Sequence, residues 1–292
     1  MAIAGTASAE RESPNSAPTV IVFAKIDDRF RAEATSPAGA VKGGARLAAE
    51  HVGLVLCSSM TRAELEMIEH ELGINQPFIC ESGAAILVPG NYFPFDVPCH
   101  RQLPGYRVID FGRPYADVVA VLHRTARRAH TAVIGFNDLS VEQVAQERGL
   151  SLSQARLAKL REYDEPFRLL DPSPKAYDRL WRSLRTAGLA CTARGPYEHV
   201  GAPISLPTSV SVLTDLYRRA SPACVTVGLG TGPWRSQLFR GVELAFTTAS
   251  KSGELPAVRA PDTPHLEPGL TGTDWLGTIL ELARRARAMA NG

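Results

Sequence analysis

Short apolar runs alternate with helical segments at the start of the chain, and this alternation limits the fold more than any other feature. Residues 19–24 (TVIVFA) and 54–57 (LVLC) are apolar and β-branched or aliphatic, which is typical of strands buried on both faces. Residues 39–51 between them predict a helix, and Thr61 with Glu64 has the spacing of a capping box that begins another. The pattern predicts an α/β fold with a doubly wound parallel sheet.

Composition excludes several other classes of protein. The 292 residues are 45% hydrophobic, which is too apolar for a disordered chain, and the formal net charge of +2 is too small for binding nucleic acid by charge alone. No apolar run approaches the roughly 18 residues of a membrane span. The five cysteines are scattered and show no C-x-x-C spacing. We therefore expect a reduced, cytoplasmic protein that binds neither nucleic acid nor membrane.

The chain divides into four stretches by composition and predicted elements. Residues 1–18 are rich in Ala, Ser and Pro and predict a disordered lead-in. Residues 19–96 predict the first part of the core, and residues 97–203 predict an inserted α+β cap domain. Residues 204–292 return to the core and end in a helix over 275–290.

Polar residues follow the first two predicted strands. Ligands of such sheets sit at the carboxyl ends of the strands, so the loops after residues 24 and 57 are the first places to look for chemistry. These loops carry Lys25, Asp27, Asp28, Ser58 and Ser59.

Three longer segments carry a resemblance to a known family. They are residues 58–66 (SSMTRAELE), residues 77–86 (PFICESGAAI), and residues 135–167, which begin GFNDLS and end REYDEPF. In these segments the chain resembles the mannosyl-3-phosphoglycerate phosphatases, members of the haloacid dehalogenase (HAD) superfamily with a large inserted cap. The resemblance implies a HAD-like core and a small-molecule ligand held between cap and core.

The catalytic motifs of that family are altered in this chain. The family has a nucleophilic aspartate, an acid/base aspartate two residues on, a Ser or Thr, a lysine, and two further aspartates that complete a Mg²⁺ site. The matching positions here are Lys25, Asp27, Ser58, Leu206, Thr231 and Arg235.

The substitutions reverse the charge expected at the site. Four carboxylates and one lysine give a family site about −3 before the metal binds, whereas the matching residues here give about +1, and Mg²⁺ requires oxygen ligands. We therefore expect no Mg²⁺ at these positions, no other cofactor, and no phosphatase chemistry through an aspartyl-phosphate.

The predicted cap keeps the family pattern. The resemblance implies that this region contacts the sugar and glyceric acid portions of a substrate. The candidate binding residues are Asp138, Ser140, Lys159, Arg161, Glu162, Asp164, Arg194 and His199. The alternative is that these residues only hold the cap's own fold.

Several roles stay open for the residues at the strand ends. Lys25 could pair with Asp27, bind an anionic group, or form a Schiff base with a carbonyl compound. Asp27 could be a general acid/base or could simply balance Lys25, with Asp28 facing solvent. Ser58 and Ser59 could cap the following helix or hold an oxyanion.

The glycine-rich stretch 228–232 (GLGTG) follows a predicted strand. It is followed by Pro233, so it fits the remnant of a metal loop better than a dinucleotide-binding loop. Trp234 beside it could either fill the former metal position or line a new apolar pocket.

Three hypotheses for function follow. The first is a metal-independent enzyme of the lyase, isomerase, cyclase or transferase type, acting on a small polar metabolite in a specialised biosynthetic pathway. In it Asp27 is the acid/base, and Lys25 and Arg235 stabilise charge. The second is a catalytically dead binding or regulatory protein, and the third is a residual sugar-phosphate phosphatase. The oligomeric state is open in all three.

Overall fold

The computed structural model describes residues 19–26, 43–194, 196–230, 238, 240–247, 266–268 and 275–290. The strands are β1 (Val20–Lys25), β2 (Val52–Cys57), β3 (Phe78–Cys80), β4 (Ala85–Pro89), β5 (Arg101–Leu103), β6 (Tyr106–Asp110), β7 (Val133–Gly135), β8 (Asp164–Leu169), β9 (Ala190–Arg194), β10 (Tyr197–Gly201), β11 (Val225–Gly230), β12 (Leu244–Thr247) and β13 (Leu266–Pro268). The helices are α1 (Gly43–Ala49), α2 (Arg62–Leu72), α3 (Tyr115–Arg128), α4 (Val141–Arg148), α5 (Leu152–Ala158), α6 (Pro174–Thr186), α7 (Leu206–Ala220) and α8 (Trp275–Ala290).

In the described part of the chain, nine strands form the core sheet, in the order β13-β12-β11-β1-β2-β3-β4-β6-β5. The strands from β13 to β3 run parallel, and β4, β6 and β5 continue the sheet antiparallel. In the centre, Val22 pairs with both Leu54 and Val227. The carboxyl ends of β1, β2 and β11 therefore lie together at one edge of the sheet.

Alternate residues of β1 feed two separate hydrophobic cores. Val20, Val22 and Ala24 pack on the face covered by α1, α2 and α8. Ile21 and Phe23 pack on the opposite face, which α7 covers. Both faces of the sheet are buried, which is why β1 is apolar along its whole length. This confirms the predicted α/β class with its doubly wound core.

A second sheet forms the cap, in the antiparallel order β7-β8-β10-β9. Leu122 of α3 and Leu180 of α6 pack on this sheet, in one cluster with Phe167 of β8. Helices α4 and α5 form a smaller cluster around Phe136 and Tyr197. An inserted α+β unit is therefore present, as the sequence predicts.

The structure differs from the sequence-based expectations at the boundary between core and cap. Strands β5 and β6 belong to the core sheet, so the first part of the core continues past the predicted end at residue 96. The predicted disordered lead-in, residues 1–18, lies outside the described residues.

The N-terminus of α2 agrees with the expected capping box. The Glu64 amide donates to Thr61 Oγ1 at 3.2 Å, and the Thr61 amide donates to Glu64 Oε2 at 2.8 Å. Among the described residues, no helix has both the length and the apolar character needed to cross a membrane.

Glu69 is a buried acid on α2, and its side chain accepts a hydrogen bond from the Gln76 amide at 3.1 Å. Burial raises the pKa of Glu69 from 4.5 to about 8. In the unfolded chain the carboxyl loses its proton at a lower pH than in the folded chain. Folding therefore becomes less favourable as the pH rises through this interval.

Replacing Glu69 with Gln tests this linkage, because the amide oxygen can still accept from Gln76. The free energy of unfolding of the wild type should fall more steeply between pH 4.5 and about 8 than that of Glu69→Gln. Urea unfolding at a series of pH values measures the difference. The exposed Glu71→Gln is the matched control and should follow the wild type. Parallel curves for Glu69→Gln and the wild type would contradict the raised pKa.

Candidate active site between core and cap

A cavity of about 90 Å³ lies where the ends of β1 and β2 face the cap sheet. The core contributes Lys25, Ser58, Glu81 and Leu206, and the cap contributes Asp164 and His199. Leu206, the residue that matches the family lysine, thus lies at this site. The structure therefore brings together strand-end residues and cap residues that are more than a hundred positions apart in sequence.

Lys25 is the last residue of β1 and pairs with Cys57 at the end of β2. Burial raises the pKa of the Cys57 thiol to about 12, and the positive charge of Lys25 opposes this shift. Cys57 is therefore a neutral, inert neighbour of the lysine.

Ser58 follows β2 directly and its hydroxyl is engaged by the core. The Oγ atom donates to the Ile26 carbonyl at 3.2 Å and accepts from the Met60 amide at 3.2 Å. The capping role proposed for Ser58 and Ser59 is wrong, because Thr61 is the N-cap of α2. The Ser59 carbonyl instead accepts from Arg161 at 3.1 Å.

A strained turn carries the acid that joins core to cap. Glu81, Ser82 and Gly83 all have positive φ, at 41°, 66° and 103°. Glycine is favoured at position 83, because φ is positive there and a Cβ would lie 3.0 Å from the Leu206 Cα. The Glu81 carboxylate accepts hydrogen bonds from three consecutive backbone amides of the cap, those of residues 162, 163 and 164, at 2.8, 2.9 and 2.9 Å.

The same cap segment carries a buried chain of charged groups. Arg161 forms an ion pair with Asp164, and its guanidinium lies 3.5 Å from Glu81 Oε2. The other oxygen of Asp164 bonds His199 Nδ1 at 2.8 Å. Burial raises the pKa of Glu81, although Arg161 and the amides of Glu162 and Tyr163 act against that shift.

Glu162 points back to the core instead of into the cavity. It pairs with Arg62 at 2.7 Å and with Arg101 at 2.6 Å. Arg101 also pairs with Asp110 at 3.2 Å, and the Tyr163 hydroxyl donates to that carboxylate. Together with the bond from Thr61 Oγ1 to the Leu157 carbonyl, these contacts hold the cap against α2 and β6.

Three of the candidate binding residues hold the cap's own fold, as the alternative interpretation has it. Asp138 accepts from the Gly135 amide at 2.9 Å and pairs with His123 at 3.3 Å. Ser140 is the N-cap of α4. Lys159 donates to the carbonyls of Phe136 and Leu139. None of these three lines the cavity.

The remaining candidates lie beyond the described side chains. Asp27, Asp28 and Arg235 are outside the described residues, and so are Thr231 and Trp234. Arg194 is on β9, and its side chain is not among those described. The roles predicted for these residues stay predictions.

Glu81, Ser82 and Tyr163 line the cavity, although none of them is among the site residues predicted from the sequence. The signal for Glu81 was present in the segment ESG, where a charged residue directly precedes a glycine turn after an apolar strand. The partners of Glu81 are backbone amides, which leave no pattern of side chains in a sequence.

The donor set at this cavity does not fit the Mg²⁺ ion that the family resemblance implies. In the described part of the chain, no three His, Cys, Asp or Glu side chains come together as a ligand set. Both cavity carboxylates are already engaged, Glu81 by three amides and Asp164 by Arg161 and His199. The expectation about Mg²⁺ also depends on Asp27, so it stays a prediction.

Known structures define the class of protein to which this fold belongs. A HAD-superfamily phosphatase from Bacteroides thetaiotaomicron matches with a TM-score of 0.57 at 13% identity, over 96% of this chain and 99% of that one. A Thermoplasma acidophilum protein matches with a TM-score of 0.56 at 14% identity, over 92% of this chain and 99% of that one. The chain is therefore a HAD-like α/β protein with an inserted cap.

Curated relatives narrow the class to a family. A glucosyl-3-phosphoglycerate/mannosyl-3-phosphoglycerate phosphatase from Methanococcoides burtonii is 31% identical over 269 residues, which is 90% of this chain and 96% of the relative. A phosphatase of the same name from Persephonella marina is 27% identical and covers 87% of this chain and 94% of the relative. No protein-family model matches the chain. The chain belongs to the family of glucosyl- and mannosyl-3-phosphoglycerate phosphatases.

This finding corrects the function hypothesis drawn from the sequence. The chain is aligned over most of its length with proteins named as phosphatases. A lyase, isomerase, cyclase or transferase that has left phosphatase chemistry is therefore the wrong expectation. The family membership supports an enzyme, and it gives no support to a pseudophosphatase or to metal independence.

Glu81→Gln tests the junction between core and cap. The variant replaces one acceptor oxygen by an NH₂ group that faces backbone donors, so the unfolding free energy should fall by about 1–3 kcal/mol. Urea unfolding measures the loss, and the exposed Glu71→Gln is again the control. A Glu81→Gln variant as stable as the control would show that the three amide bonds contribute nothing.

Proposed function

We propose that this chain hydrolyses the phosphate ester of a small sugar-linked phosphoglycerate and releases inorganic phosphate. One observation carries the proposal: the cavity between cap and core has Lys25 and Ser58 at the carboxyl ends of two parallel strands. Ligands of doubly wound sheets bind at this edge. The relatives named as glycosyl-phosphoglycerate phosphatases supply the substrate class.

Lys25 is assigned to binding the phosphoryl group. Among the described residues of the cavity, the carboxylates of Glu81 and Asp164 are held by protein donors, so their charge is largely offset. Of these described groups, the lysine ammonium is the one with the charge that attracts a phosphate dianion. A charge-assisted bond to phosphate is among the strong hydrogen bonds in proteins.

The attacking group in this proposal is water. Lys25 stands where the resembling family motif has its aspartate, and a protonated ammonium has no lone pair with which to attack phosphorus. Water therefore forms the new P–O bond, and the ester P–O bond breaks.

Phosphate release tests the proposal directly. The full chain is incubated with glucosyl-3-phosphoglycerate and with mannosyl-3-phosphoglycerate, once with Mg²⁺ and once with EDTA. We expect inorganic phosphate and the dephosphorylated glycoside in equal amounts from at least one ester. The proposal fails if neither ester loses phosphate in either condition.

Lys25→Met tests the binding assignment separately from turnover. Loss of a charged hydrogen bond of about 1.5–3 kcal/mol should weaken the affinity for 3-phosphoglycerate by about tenfold or more. Isothermal titration measures the dissociation constant. Lys175→Met, which removes an exposed lysine of α6, is the matched control. Equal affinities in both variants would rule out Lys25 as the phosphate-binding group.

A further inference from the structure

An aspartate–histidine pair lies in the cap wall of the cavity. His199 is on β10 and Asp164 is on the neighbouring β8, and Asp164 Oδ2 lies 2.8 Å from His199 Nδ1. Gly201 is the register partner of Asp164, and a Cβ at that glycine would lie 3.2 Å from the Asp164 Cβ. Both side chains line the cavity that also holds Lys25.

The pair is oriented by buried groups that belong to both domains. Arg161 pairs with the second oxygen of Asp164, and its side chain is only 4% exposed. Arg161 is in turn placed by the Ser59 carbonyl and by Glu81, which are core groups. A hydrogen bond from Nδ1 to a carboxylate sets the tautomer and the direction of an imidazole, and it favours the protonated ring.

The opposite walls of the cavity define a direction for a bound ester. With the phosphoryl group at Lys25, on the core side, the carbon-bearing ester oxygen faces the cap. From this juxtaposition we infer that His199, oriented by Asp164, is the general acid that protonates the leaving oxygen of the ester. The inference rests on the proposed function, and it adds the residue that handles the leaving group. Among the described residues that line the cavity with His199, the charged groups are Asp164 from β8, Lys25 from β1, and Glu81 from the turn after β3.

The step balances as an ordinary ester hydrolysis. A water oxygen bonds to phosphorus, and the bond from phosphorus to the ester oxygen breaks with its electron pair on that oxygen. The Nε2 proton of His199 passes to that oxygen, which leaves as the alcohol. The proton lost by the attacking water goes to solvent, and the imidazole takes up a proton from solvent before the next turnover.

The cap contains a second pair of the same type that serves as an internal control. His123 Nε2 lies 3.3 Å from Asp138 Oδ1, and neither residue lines the cavity. The same substitution of histidine should therefore lower activity in the pair that lines the cavity and leave activity unchanged in the pair outside it.

The experiment compares two leaving groups in the full-length chain. A sugar-linked phosphoglycerate releases an alkoxide that needs a proton, whereas 4-nitrophenyl phosphate releases nitrophenolate, which needs none. His199→Asn keeps a donor at the position of Nδ1 and lacks Nε2, and His199→Gln keeps a donor near Nε2 that cannot transfer its proton. Both should lose about a hundredfold or more in kcat on the alkyl ester, which is the usual contribution of a general acid. His123→Asn should leave both rates unchanged.

Turnover of the aryl ester also shows that each variant is folded. We expect kcat on this ester to fall by less than about tenfold, since general-acid assistance is not needed. An equal loss on both esters, or no loss on the alkyl ester, would overturn the role of His199 while phosphatase activity stands. If the wild type cleaves neither ester, the proposed function fails and the inference fails with it.

Discussion

The buried carboxylate of Glu81 links the two sheets of this protein, beside the ion pairs of Glu162 and the hydrogen bond of the Tyr163 hydroxyl. An ionised acid in a protein interior is stable only when its oxygens are satisfied, and here three consecutive cap amides meet that need. The acid can face those amides because residues 81–83 adopt left-handed backbone conformations, which non-glycine residues rarely accept. The strain of the turn is thus offset by the hydrogen bonds that the turn makes possible.

The position of the cavity follows from this junction. The residues whose amides bind Glu81 end at Asp164, the first residue of β8, and Asp164 holds His199. Arg161, one residue before those amides, spans from the Ser59 carbonyl to Asp164. The segment that ties the cap to the core therefore also aims the imidazole into the cavity. Loosening the junction would therefore move the histidine relative to Lys25.

The sequence predicts the parts of this structure that depend on local patterns. Strand β1, the capping box at Thr61 and Glu64, and helix α8 over residues 275–290 follow from hydrophobic spacing and cap chemistry. Strand β6 joins the core sheet by pairing with β4, a long-range contact that spacing does not reveal, and β5 is added by pairing with β6. Of the cap candidates, Asp164 and His199 line the cavity, whereas Asp138, Ser140 and Lys159 bind nearby backbone. Polar residues of the same types thus either line the cavity or stabilise the cap, and only their position relative to the core distinguishes the two groups.

Lys25 stands where the resembling family motif has an aspartate. This difference changes which charged groups at this edge of the sheet need a partner. A site built from several free carboxylates repels a phosphate dianion until a cation binds. In the proposed function, the described cavity carboxylates Glu81 and Asp164 are held by protein donors, and Lys25 attracts the dianion. Preorganised charge of this kind does not need to reorient during the reaction, and a partly closed cavity strengthens its effect. The step that then needs assistance is release of the alkoxide instead of binding of the phosphoryl group. In our inference, His199 in the cap wall supplies the proton for that step.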